Sequence, residues 1–105
     1  MEGNHPMTTA ELIAVLNRVL DEEEALAAAL RGAEMLLVEA EERAEDRTDD
    51  ASLKAAVERC AVDAMLAERA VRAVRERRTA IEALLSPDHV LAAHRWRLAT
   101  RGTAA

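Results

Sequence analysis

Residues 12–44 read LIAVLNRVLDEEEALAAALRGAEMLLVEAEERA, and residues 53–85 read LKAAVERCAVDAMLAERAVRAVRERRTAIEALL. Each segment carries a stripe of ten positions at alternating spacings of four and three, apolar except for one charge. An apolar repeat averaging about 3.5 residues keeps one helix face turned toward a partner helix, as in a coiled-coil seam. Folding the chain back pairs Ala44 with Leu53 and Leu12 with Leu85. The sequence therefore predicts an all-α antiparallel helical hairpin. The stripe positions are Leu12, Leu16, Val19, Glu23, Leu26, Leu30, Ala33, Leu37, Ala40 and Ala44, then Leu53, Val57, Cys60, Ala64, Ala67, Val71, Val74, Arg78, Ile81 and Leu85.

The two stripes are out of step, which predicts a break in the helix near residues 47–50. Continuing the first stripe would place Lys54 in the seam, whereas the second stripe starts at Leu53. Thr48 or Asp49 is the expected N-cap of the second helix. A single long helix with a stutter is the alternative, because the break contains neither Gly nor Pro.

Capping signals predict where the other two helices start. Thr8 is followed three residues later by Glu11, the pattern of a capping box. Ser86 precedes Pro87, which suits a helix N-cap followed by proline at the first helical position. These signals predict one domain over residues 8–100, between a flexible arm at 1–7 and a flexible tail at 101–105. Its expected helices cover about 9–45, 49–85 and 87–100.

The third helix is short and only weakly amphipathic. Its expected apolar stripe comprises Leu91, His94, Arg95 and Leu98.

Composition limits the class of protein. The chain has 105 residues and a net charge of -6, which argues against general binding to nucleic acid or to anionic membranes. Its one cysteine, Cys60, excludes an internal disulfide, and no long uncharged run could span a bilayer. We therefore expect a cytoplasmic protein, with Cys60 as a core thiol.

Charge also favours the hairpin. Residues 1–50 carry 14 acids and 4 bases, whereas residues 51–85 carry 5 acids and 7 bases. The two arms therefore attract each other. Glu23 and Arg78 interrupt the stripes in adjacent layers, and we interpret them as a structural polar pair that fixes the register. Lining a polar pocket is the alternative role for the pair.

The third helix is too short to cover the whole hairpin, so apolar residues outside the seam are expected to remain exposed. Such surface usually marks an interface. Two hairpins packed through it would form a four-helix bundle, most simply a two-fold homodimer. A higher oligomer, a second protein as partner, or a monomer with scattered surface apolar residues are the alternatives. The interface candidates are Val15, Ala29, Met35, Leu36, Val38, Val62, Met65, Leu66 and Leu84.

A set of arginines with the only aromatic residue could form a basic binding patch, which would grip phosphates and stack a base. This set comprises Arg72, Arg75, Arg95, Trp96, Arg97 and Arg101. We favour instead a structural role, in which Trp96 packs helix 3 onto the hairpin and the arginines stay solvated.

No catalytic, metal-binding, cofactor-binding or family motif is present in the sequence. The favoured interpretation is a non-enzymatic helical oligomerisation or protein-interaction module, without cofactors. A small regulator that binds nucleic acid or an acidic partner through the basic patch is the alternative. An all-helical enzyme ranks third.

Overall fold

The structure is a computed structural model that describes residues 6–103, with side chains described for residues 6–100. Within that range the chain forms three helices and no strand: α1 (Thr9–Glu45), α2 (Ala51–Glu82) and α3 (Pro87–Thr103). The long helices α1 and α2 pack against each other, so the predicted all-α helical hairpin is confirmed. A turn separates them at residues 46–50, which excludes the single long helix. Residues 1–5 of the predicted arm and 104–105 of the predicted tail lie outside the described residues.

The two stripes form the inner faces of α1 and α2. All twenty stripe positions are buried or half-buried. In the predicted register Glu23 lies opposite Val74, and Glu23 Oε2 indeed lies 3.3 Å from Nε of the adjacent Arg75. The 4-3 spacing therefore identified the inward-facing residues of both long helices.

Side chains cap the N-terminus of each helix. At α1, the backbone N–H of Thr8 donates to Glu11 Oε1 (2.9 Å), and the N–H of Glu11 donates to Thr8 Oγ1 (3.1 Å). This confirms the capping box. At α3, the N–H of His89 donates to Ser86 Oγ at 3.3 Å, which confirms the serine cap.

The start of α2 differs from the prediction. Asp50 is its N-cap rather than Thr48 or Asp49, because Asp50 Oδ1 accepts from the N–H groups of Ser52 (2.9 Å) and Leu53 (3.1 Å). An aspartate at this position satisfies two of the free amides of the first turn. The other ends also shift, since α2 stops at Glu82 and α3 continues three residues beyond the predicted Thr100.

The capping box predicts a pH-dependent contribution to stability. Hydrogen bonds from the backbone and then the side chain of Thr8 hold the pKa of Glu11 below its ordinary value. A carboxyl whose pKa is lowered in the folded state stabilises the protein at pH values above its unfolded-state pKa. This stabilisation is lost as the pH falls through the folded-state pKa. Urea unfolding should therefore show the parent to be more stable than a Glu11→Ala variant at neutral pH, with the difference shrinking in acid. A difference independent of pH would contradict this role for the carboxylate.

The chain divides into two compact units, Met1–Asp21 with Glu76–Ala105, and Glu22–Arg75. We call the first the three-helix unit, because it contains the start of α1, the end of α2 and α3. Its core is formed by Leu16, Leu20 and Ala93, with Ile81 and Leu85 packed against them. Because Ala93 belongs to α3, the third helix covers Leu20 of α1.

The face that α3 buries differs from the predicted stripe. Its inward residues are Val90, Ala93, His94 and Arg97, whereas Leu91, Arg95 and Leu98 are exposed. Polar contacts of Arg97 explain why α3 turns this face inward instead of the predicted one. Arg97 lies 2.7 Å from Asp21 Oδ1 and donates to the Asn17 backbone oxygen at 3.4 Å. These carboxylate and carbonyl partners allow an arginine to be largely buried, so the prediction that it is solvated was wrong.

The second unit, residues 22–75, contains only α1 and α2, and we call it the two-helix unit. Its fully buried apolar residues are Ala40 (4% exposed), Val71 (2%) and Val74 (0%). The other seam residues there are half-buried, as expected where two helices pack and nothing else covers them. Most other positions of the two helices in this unit are therefore exposed or half-buried.

Candidate interaction surfaces

The two-helix unit exposes six large apolar side chains, all of them predicted interface candidates. They are Met35 (64% exposed), Leu36 (58%), Val38 (51%), Val62 (48%), Met65 (45%) and Leu66 (53%). Among the other three candidates, Leu84 is 68% exposed, Ala29 is exposed and Val15 is half-buried. Eight of the nine interface candidates are therefore exposed as expected, and Val15 is the exception.

One flank of the seam in the two-helix unit is mainly apolar, although the heptad spacing also places the exposed Asp63 on it, between Ala56 and Ala70. We call this flank the apolar face. The heptad spacing places on it Ala29, Gly32, Leu36, Ala56, Leu66 and Ala70. A Cβ built on Gly32 would meet no atom within 4 Å, so the face is open at that point. Small residues at its centre would allow another helix to approach closely.

The other flank carries a groove of about 650 Å³ next to the turn between α1 and α2. Its surface is mainly apolar, with Val38, Ala44 and Val57 contributing carbon atoms, and four of its nine lining residues are glutamates. We call it the turn groove. Its lining residues are Val38, Glu41, Glu42, Ala44, Glu45, Thr48, Lys54, Val57 and Glu58.

The predicted polar pair has other partners nearby. Glu23, with 18% of its side chain exposed, contacts Arg75 in the two-helix unit. Arg78 belongs to the three-helix unit, where its Nη1 lies 3.3 Å from Glu82 Oε1. Both residues occupy half-buried seam positions, as predicted, and their mutual coupling stays a prediction.

Glu82 joins α2 to α3, a role that the stripe spacing did not predict. Its Oε2 lies 2.9 Å from His94 Nε2, while its other oxygen contacts Arg78. The pair with His94 is an ion pair only when the imidazole is protonated. The sequence held a signal for this contact, because the heptad spacing places Glu82 on the same flank of the seam as Leu20, which α3 covers.

The proposed basic patch is mostly paired with carboxylates. Arg72 lies 2.7 Å from Glu68, Arg75 lies 3.3 Å from Glu23, and Arg97 contacts Asp21. Arg95 is exposed, and the side chain of Arg101 lies outside the described residues.

Trp96 is 59% exposed, so the expectation that it packs helix 3 onto the hairpin was wrong. Its place on the inner face of α3 is taken by the neighbouring Arg97.

Other classes of site have little support among the described residues. Cys60 is a free, half-buried thiol in the seam. No group of three or more His, Cys, Asp or Glu residues within residues 6–103 could hold a metal ion. None of the helices described combines the length and apolar character needed to cross a membrane. Comparison with protein-family models, curated proteins and solved structures finds no match for this chain.

Proposed function

We propose that this protein is a non-enzymatic self-association module, in which two hairpins join through the apolar face. The observation that carries the proposal is the exposure of Leu36 (58%) and Leu66 (53%) on one flank of a two-helix unit. A pair of helices buries only one stripe on each helix, and contiguous apolar surface left outside usually marks an interface. The chain lacks Phe and Tyr, so aliphatic packing along helices is its main source of burial.

Charged residues beside this face would suit a second copy of the chain. In a two-fold dimer with parallel hairpin axes, α1 of each copy would lie against α2 of the other. In the seam register, which pairs Ala40 with Val57, Glu39 of one copy would then lie level with Arg59 of its partner. Glu39 is half exposed, and its carboxylate lies 3.7 Å from Arg43 of its own helix. The symmetric Glu39 to Arg59 contacts would favour this arrangement, which forms a four-helix bundle.

The concentration dependence of thermal unfolding tests the proposal. Self-association stabilises the folded state by mass action, so the midpoint should rise by about 3 °C for each tenfold increase in protein concentration. A midpoint that does not change with concentration would contradict self-association. A cytoplasmic location stays a prediction.

The alternative function is a small regulator that binds nucleic acid or an acidic protein through the Arg95 to Arg97 region. The exposure of Trp96 favours it, because an exposed aromatic beside arginine can stack on a base. The carboxylate partners of Arg72, Arg75 and Arg97 oppose it. Salt-dependent binding to DNA or RNA would favour this function over self-association. Saturable turnover, lost on replacing Glu23 or Arg78, would indicate an enzyme instead.

A further inference from the structure

We propose that the turn groove binds a basic amphipathic helix of another protein. The groove has an apolar interior, to which Val38 contributes a side chain that is 51% exposed, and about 650 Å³ of space between α1 and α2. An amphipathic helix places apolar side chains into such a groove at helical spacing. The interior therefore accepts aliphatic anchors on one face of the partner.

The negative charge around the groove indicates that the polar face of the partner helix is basic. Glu41, Glu42, Glu45 and Glu58 line the groove, whereas Lys54 is its only base. Residues 34–58 carry nine acids and three bases, a net charge of -6 that equals the net charge of the whole chain. A helix with Lys or Arg beside its apolar face would complement this charge, and an acidic helix would be repelled.

This site is separate from the apolar face. Leu36 and Leu66 do not line the groove, and its lining residues lie in the seam, in the turn or on the opposite flank. A dimer formed through the apolar face would therefore leave the groove open. The inference does not depend on self-association, and each proposal can be tested alone.

Fluorescence anisotropy with designed peptides tests the inference. The probe is a labelled helix of about 16 residues with Leu at i, i+3, i+4 and i+7 spacing and Lys elsewhere. One control peptide replaces each Lys with Glu, and another keeps Lys but replaces each Leu with Ser. The parent protein should bind the Leu/Lys peptide at least about tenfold more tightly than either control.

Two matched triple variants locate the binding site. Glu41→Gln, Glu42→Gln and Glu45→Gln together should weaken binding of the Leu/Lys peptide by at least about tenfold. Glu22→Gln, Asp63→Asn and Glu76→Gln remove the same charge outside the groove, and should change affinity by less than about twofold. The monomeric variant described in the Discussion should bind the peptide as the parent does. Circular dichroism confirms that each variant is folded.

Several results would overturn the inference. Equal weakening by both triple variants would indicate general attraction to an acidic protein. Equal binding of the Lys/Ser peptide would show that the apolar interior is not used, and no binding of the Leu/Lys peptide would remove the site. A lower oligomer mass in the groove variant alone would identify a second copy, rather than another protein, as the occupant.

Discussion

Replacing Leu16 with alanine is expected to lower the free energy of unfolding by about 3 kcal/mol, the cost of a cavity in a rigid core. Leu16 has no exposed surface and belongs to the cluster that joins Leu20 of α1 to Ala93 of α3. Ile81 and Leu85 pack against the same cluster. Few other side chains are available to fill the space, so the cavity should persist. Urea unfolding followed by circular dichroism, at one protein concentration, measures the loss.

Leu98→Ala provides a control with the same chemical change. Leu98 is 68% exposed on α3, and its truncation should cost less than about 0.5 kcal/mol. Similar losses for the two variants would show that α3 packs on α1 through a face other than the one that contains Ala93.

Introducing charge into the apolar face is expected to produce a monomer. A Leu36→Glu, Leu66→Glu variant would place four carboxylates in a two-fold interface, where they would be desolvated and would repel each other. We expect self-association to weaken by at least about 1,000-fold, equivalent to about 4 kcal/mol. Sedimentation velocity measures the change. The hairpin itself should remain folded, because both side chains lie outside the seam.

Val38→Glu with Met65→Glu is the matched control for that variant. These two residues are also exposed and apolar, 51% and 45% respectively, but lie on the flank opposite the apolar face. The control should associate as the parent does. If it dissociates to the same extent, the interface includes the groove flank and the proposed two-fold arrangement is wrong.

The long helices were predictable because each contains its own apolar stripe at heptad spacing. Ten seam positions on each helix constrain its phase, so a single exception such as Glu23 does not change which face turns inward. Local hydrogen bonds place the capping residues, and Thr8 with Glu11 was therefore also identifiable. Asp50 was missed because several neighbouring residues are good N-caps, and only the structure shows which side chain reaches the free amides.

The orientation of α3 was not predictable from its own residues. Leu91 and Leu98 are more apolar than Ala93, yet Ala93 is buried and both leucines are exposed. The contact between Arg97 and Asp21 joins residues far apart in the sequence, and its free energy does not appear in a local hydrophobic pattern. A short helix with few large apolar residues is therefore oriented by tertiary contacts rather than by periodicity.

The turn groove was also not predicted, although its acidic residues are evident in the sequence. Lys54 and Glu58 approach Glu41 and Glu45 only after the chain reverses at residues 46–50.

We propose that the exposed apolar face of the two-helix unit joins two copies of the chain. The mass of the parent protein in solution tests it most directly, by light scattering coupled to size exclusion over a series of concentrations. We predict a mass of about 23 kDa at high micromolar concentration, twice the 11.5 kDa of one chain, with dissociation on dilution. A mass of 11.5 kDa at every concentration would show that the protein is a monomer and that the apolar face does not join two copies.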